Sequence, residues 1–97
     1  MAENEIYYGD GFLRDLRKLP KESKVKLSKL ILFLKTNIFD PRLHTKPLGS
    51  PLEGVCSFRI TRDWRVGFYF ISQNTIKLLI ADHRDSIYER LKCILGK

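Results

Sequence analysis

Four side chains in the second half of this chain have types suited to a phosphate ester: Arg59, Arg65, His83 and Tyr88. Guanidinium groups stay protonated and bind phosphate oxygens bidentately, so they grip a linkage and stabilise charge that develops on it. An imidazole titrates near neutrality and can carry a proton. A tyrosine can stack on a base or position a proton. Structural roles compete with each of these. Arg65 has Asp63, Glu53 and Asp82 as ion-pair candidates, His83 can hold a strand end, and Tyr88 can be packed in a closing helix.

The elements that would position these groups follow from alternation. In Ser57-Phe58-Arg59-Ile60-Thr61 and Trp64-Arg65-Val66-Gly67-Phe68-Tyr69-Phe70-Ile71, the residues Phe58, Ile60, Trp64, Val66, Phe68 and Phe70 fall on one face of two strands. Arg59, Arg65 and Tyr69 then share the other. A three-residue loop, Thr61-Arg62-Asp63, sets Phe58 opposite Val66 and Arg59 opposite Arg65, whereas a two-residue loop mixes the faces. A second turn in Ser72-Gln73-Asn74-Thr75 leads to a third strand. There Ile76, Leu78 and Ile80 continue the core face, and Lys77, Leu79 and Ala81 join the open one. Leu79 and Ile71 make that face partly apolar, which suits a docking protein partner.

Upstream, Glu5-Ile6-Tyr7-Tyr8 reads as a strand, and Asp10 as the cap of a helix carrying Phe12, Leu13, Leu16 and Leu19. Pro20 ends that helix or opens the next, where Leu27, Leu30, Ile31 and Leu34 form a stripe from about Lys21 to Asn37. Residues 40–54 hold three prolines and two glycines, which predicts an irregular segment bringing Arg42, His44 and Lys46 beside the sheet. A closing amphipathic segment from Asp85 to Leu95 turns Ile87, Leu91 and Ile94 inward.

The 97 residues predict one domain, 1–97, with a formal charge of +7 that favours an anionic partner. The excess is densest over residues 41–65, with five Lys/Arg against two Asp/Glu. No apolar run approaches a membrane span, and the acidic start is unlike a secretory leader, so a cytoplasmic protein is expected. Cys56 and Cys93 are then expected to be reduced and mostly buried. His44 and His83 sit at no ligand spacing, so neither a metal nor another cofactor is expected.

The order of these elements, with Phe12-Leu13-Arg14-Asp15-Leu16-Arg17-Lys18-Leu19-Pro20, Pro47-Leu48-Gly49-Ser50-Pro51-Leu52-Glu53-Gly54, Ser57-Phe58-Arg59-Ile60, Trp64-Arg65-Val66 and His83-Arg84-Asp85-Ser86-Ile87-Tyr88, resembles the RelE/ParE superfamily of type II toxin–antitoxin toxins. The resemblance implies an α+β, RelE-like fold: a small antiparallel sheet with an N-terminal helical hairpin on one face and a short C-terminal helix. It implies a metal-independent endoribonuclease, an mRNA interferase working at the ribosome, whose partners are mRNA and a cognate antitoxin. It places catalytic groups at Arg59, Arg65, His83 and Tyr88, with Lys46, Arg62, Lys77 and Arg84 as RNA contacts. This chain departs from the family in having no lysine between Lys46 and Lys77. Arginine is a poor general base, which moves that role to His83 or to an acid such as Glu53 or Asp63. The alternatives are a non-enzymatic ParE-like gyrase inhibitor and an inactive member that only binds antitoxin.

Overall fold

A computed structural model describes residues 3–96; Met1 and Ala2, at the acidic start, and Lys97 lie outside the described residues. Five strands, β1 (Glu5–Tyr8), β2 (Lys46–Pro47), β3 (Val55–Arg59), β4 (Trp64–Ser72) and β5 (Thr75–His83), form one sheet in the order β1-β5-β4-β3-β2. Three helices accompany it: α1 (Asp10–Leu16), α2 (Lys21–Thr36) and α3 (Ile87–Leu95). The architecture is the expected α+β one, with one correction. β1 runs parallel to β5, so the sheet is mixed rather than antiparallel.

The helical hairpin forms as its pattern dictates. Leu27, Leu30 and Leu34 of α2 are buried with Phe12 of α1 against Phe58, Ile60, Val66 and Phe68 of the sheet. Pro20, with ψ near 148°, stands at the N-cap of α2 and so opens that helix. Asp10 is not the cap of α1. Gly9 occupies that position, and Asp10 lies in the first turn, where a negative charge favours the helix dipole. Leu13 points outward, 47% exposed, because the short helix covers the sheet only through Phe12 and its neighbours.

On the opposite face α3 lies over β4 and β5, with Ile87 and Leu91 clustered with Leu52, Val55 and Ile80. Gly67 makes room for it: a Cβ there would meet Leu91 Cδ2 at 2.9 Å. The face expected to be open is therefore roofed at its centre. Ile94, expected inward, is 51% exposed, and Leu95 packs in its place.

The hairpin register is the one the faces require, Phe58 opposite Val66 and Arg59 opposite Arg65. Alternation in β5 is broken. Gly67 pairs with Ile80 but Phe68 pairs with Leu78, so Leu79 is a bulge. Ile80 consequently joins the α3 cluster and Ala81 the helical-hairpin core, the reverse of the sequence expectation. Phe70, one residue before a second irregularity, is 38% exposed rather than core. The segment after α2 is less irregular than expected: Pro41–Leu43 makes a 3-10 turn and Lys46–Pro47 pairs with β3. Both cysteines are free, and burial pushes the half-buried Cys56 thiol up, but Cys93 is exposed on α3. No described helix is long and apolar enough to cross a membrane.

Candidate nucleic-acid interface

The ends of β3, β4 and β5 make a rim with two adjoining rows of side chains. In the first, Arg59, Arg65 and Asp82 lie opposite one another across three strands. In the second, Trp64 lies opposite His83. Residues directly opposite share a face and successive rows alternate, so the two arginines point to the α3 side and the imidazole to the helical-hairpin side. The rings of Trp64 and His83 confirm the second row, meeting edge-on at 5.8 Å. The structure thus brings Arg59 and Arg65 together on one face and sets His83 across the rim from them.

Both arginines are half-buried, and among the described residues neither joins an ion pair. The Arg59 Nε is buried without a hydrogen-bond partner. Two of the acids that could pair with them, Asp63 and Asp82, are engaged elsewhere. Asp63 lies 3.9 Å from Arg84 Nε and its carbonyl accepts the Arg84 N–H at 2.8 Å. Asp82 Oδ1 accepts the His83 N–H at 2.7 Å, and its Oδ2 accepts from Arg90 Nη1 at 2.9 Å.

Arg90 also donates to Asp15 Oδ2 at 3.0 Å, and the same oxygen accepts the Ala81 N–H at 3.1 Å. That bond has a topological cause. β1 stops at Tyr8 opposite Leu78, so the rest of the β5 edge has no strand beside it, and α1 supplies an acceptor instead. Desolvation works against the Arg90 charge, but hydrogen bonds to Asp82 and Asp15 together outweigh it and push its pKa up. Sequence reading missed this trio. Its signal was Asp15, a carboxylate three residues after Phe12 on the side of α1 that turns inward, where it is only 5% exposed.

His83 Nδ1 accepts the Asp85 N–H at 3.2 Å, which leaves the proton of the neutral ring on Nε2. Asp85 Oδ2 lies 3.4 Å from the same nitrogen and receives a bond from it once the ring is protonated. The backbone carbonyl of His83 also accepts the Ser86 N–H, so this residue does organise the turn into α3. Its ring is nevertheless 38% exposed, open enough to meet a ligand.

The other expected contacts scatter. Arg62 is exposed at the hairpin tip, and Arg84 sits beside it across Asp63. Lys46 is exposed opposite Ser57, on the face of the arginine row. Lys77 shares that face but pairs with Tyr69, four residues from Arg65 and roughly 13 Å along the strand, with α3 between. It borders a cleft with Arg14 and Arg90 and is not part of the rim. Tyr88 is half-buried and packs against the α3 cluster. Arg42 and His44 border a cleft with Lys26, Lys29 and Phe33 on α2. There Arg42 holds Asp40 bidentately, at 2.9 and 2.8 Å, and stacks 3.5 Å over the Phe33 ring.

No protein-family model matches the chain, and no curated protein matches it. Solved structures do. A YoeB/ParE toxin from Agrobacterium tumefaciens superposes with a TM-score of 0.72 at 17% identity, covering 82% of this chain and 98% of that one. YafQ from E. coli gives 0.70 at 19% identity over 88% and 98%. The RelBE2 toxin–antitoxin complex from Mycobacterium tuberculosis gives 0.60 at 26% identity over 84% and 99%. The class defined by this sheet and its helices is thus the RelE/ParE toxin fold, and this chain has that fold over most of its length.

Proposed function

We propose that this chain, acting as a single toxin domain over residues 1–97, is the toxin of a type II toxin–antitoxin pair and cleaves mRNA without a metal ion. One observation carries the reading: Arg59 and Arg65 stand side by side on the sheet rim with no carboxylate partner among the described residues, and the partly exposed His83 imidazole faces the other side of that rim. Two half-buried guanidiniums left unneutralised are costly unless an anion completes them. The structural neighbours that are toxin–antitoxin complexes support an antitoxin partner.

An RNA strand laid over the rim meets the arginine row on one side and His83 on the other. Arg59 and Arg65 clamp the scissile phosphate and stabilise the phosphorane charge. The ribose 2′-oxygen attacks phosphorus, the P–O5′ bond breaks, and the products are a 2′,3′-cyclic phosphate and a 5′-hydroxyl. The 2′-OH gives up one proton and the 5′-oxygen takes one. His83 Nε2 carries the proton for one of these steps. Arg62, Arg84 and Lys46 track the flanking phosphates, Tyr88 bounds the site on the α3 side, and Lys77 contributes only at long range. The cytoplasm, where mRNA and ribosomes are, is the compartment this activity requires.

The test is purified protein incubated with mRNA, with and without ribosomes. Cleavage by the wild type that is lost in folded Arg65→Ala and His83→Ala variants supports the reading. Intact RNA together with inhibited gyrase supercoiling replaces it with the ParE-like one, and neither effect leaves a chain that only binds antitoxin.

A further inference from the structure

We infer that Arg90 is a positioning residue that keeps Arg65 free for an anion by holding Asp82 away from it. The inference rests on the reading of the arginine row as the phosphate grip. Asp82 is the direct cross-strand neighbour of Arg65. Residues so placed have Cβ atoms about 4.5–5.5 Å apart, and an opposite-charge pair is the favoured outcome. The pair is nevertheless not made. The Asp82 carboxylate gives one oxygen to the His83 N–H and the other to Arg90 Nη1.

What turns it is a chain of fixed groups. The Ala81 N–H, on the strandless stretch of β5, orients Asp15, and Asp15, 6% exposed at its side chain, pins the same Nη1 of Arg90. Arg90 is thereby held where it neutralises Asp82, and the rim keeps both guanidinium charges. Without Arg90, the carboxylate loses its cation and Arg65 is the nearest replacement across the sheet. A phosphate must then compete with an intramolecular carboxylate for the same guanidinium.

The probe is a single-stranded oligoribonucleotide of mixed sequence, 2′-O-methylated so that it is not cleaved, titrated by fluorescence anisotropy over a salt series. Full-length wild type is compared with Arg65→Met, Arg90→Met, Asp82→Asn and Arg90→Met/Asp82→Asn, each checked for folding by thermal unfolding. Arg90→Met is expected to weaken binding several-fold and to lower the salt slope by about 0.7, one single-strand phosphate contact, as Arg65→Met does. The double variant is expected to recover wild-type affinity and slope, which a merely structural role for Arg90 does not predict. Wild-type binding by Arg90→Met, or a folded double variant as weak as the single, overturns the inference. If Arg90→Met does not fold, Asp15→Asn replaces it, since its amide oxygen still accepts the Ala81 N–H while the hold on Arg90 is weakened.

A crystal structure of the arginine variant decides the same question without RNA. Asp82 within 4 Å of the Arg65 guanidinium supports the inference, and Asp82 unmoved refutes it. Arg65→Met without effect on RNA binding refutes the phosphate grip, and the crystallographic arm still tells the two failures apart.

Discussion

At the scale of single residues, the chemistry was readable from type and its arrangement was not. A shared face for Arg59 and Arg65 is the only register consistent with Phe58 and Val66, and the two arginines are partners across the strands. His83, which its chemistry groups with them, instead heads the adjoining row, because it directly follows Asp82 and successive strand residues face opposite ways. Replacing His83 by alanine is expected to slow RNA cleavage by roughly 10²–10⁴-fold in single-turnover assays, the usual worth of one acid or base. The fold should be little affected, since the lost bonds are surface ones. Asp40 gives a second residue-level expectation. The side-chain hydrogen bond from Arg42, with that residue's N–H bond, lowers its pKa to about 2. A depressed carboxylate stabilises the fold above its unfolded pKa, and the contribution fades as pH falls through the folded value. Carbon-detected NMR should find the Asp40 midpoint at about 2, and Arg42→Ala should return it toward the ordinary ~3.9.

At the scale of elements, what the periodicity carried is present: β1, the hairpin of α1 and α2, and the three-residue turn between β3 and β4. What failed needed a partner to be visible. Ile76, Leu78 and Ile80 look like an unbroken alternation, yet Leu79 bulges and sends Ile80 to the α3 side, a choice made by contact with Ile87 and Leu91 rather than by local pattern. The roof over the arginine-bearing face was likewise hidden, although Gly67 within an otherwise bulky strand was its trace. Gly67→Ala puts a methyl 2.9 Å from Leu91 and is expected to destabilise by about 1–3 kcal/mol in denaturant unfolding, the usual cost of overpacking. Leu91→Ala alone should cost about 2–5 kcal/mol, and the two together should cost less than their sum because they share one contact.

At the scale of the whole molecule, the α+β class and the net charge of +7 are both legible in the sequence, and the charge sets a measurable behaviour. RNA binding should weaken as salt rises, and removing Arg59 and Arg65 together should lower the slope by roughly 1.4, two single-strand phosphate contacts. The borders of the sheet were not legible, because β2 is only two residues long and β1 joins from the far end of the sequence. They have a consequence for how copies meet. Leu48 turns its N–H inward to Val55, so the neighbouring Pro47 turns its nitrogen outward, and that margin lacks a donor. On the other side, the rimward stretch of β5 is stoppered by a carboxylate from a helix. Among the described residues, the four-residue margin of β1 is what remains for another chain to lengthen the ladder, so any growth of the sheet from copy to copy is expected at its tyrosine-bearing first strand.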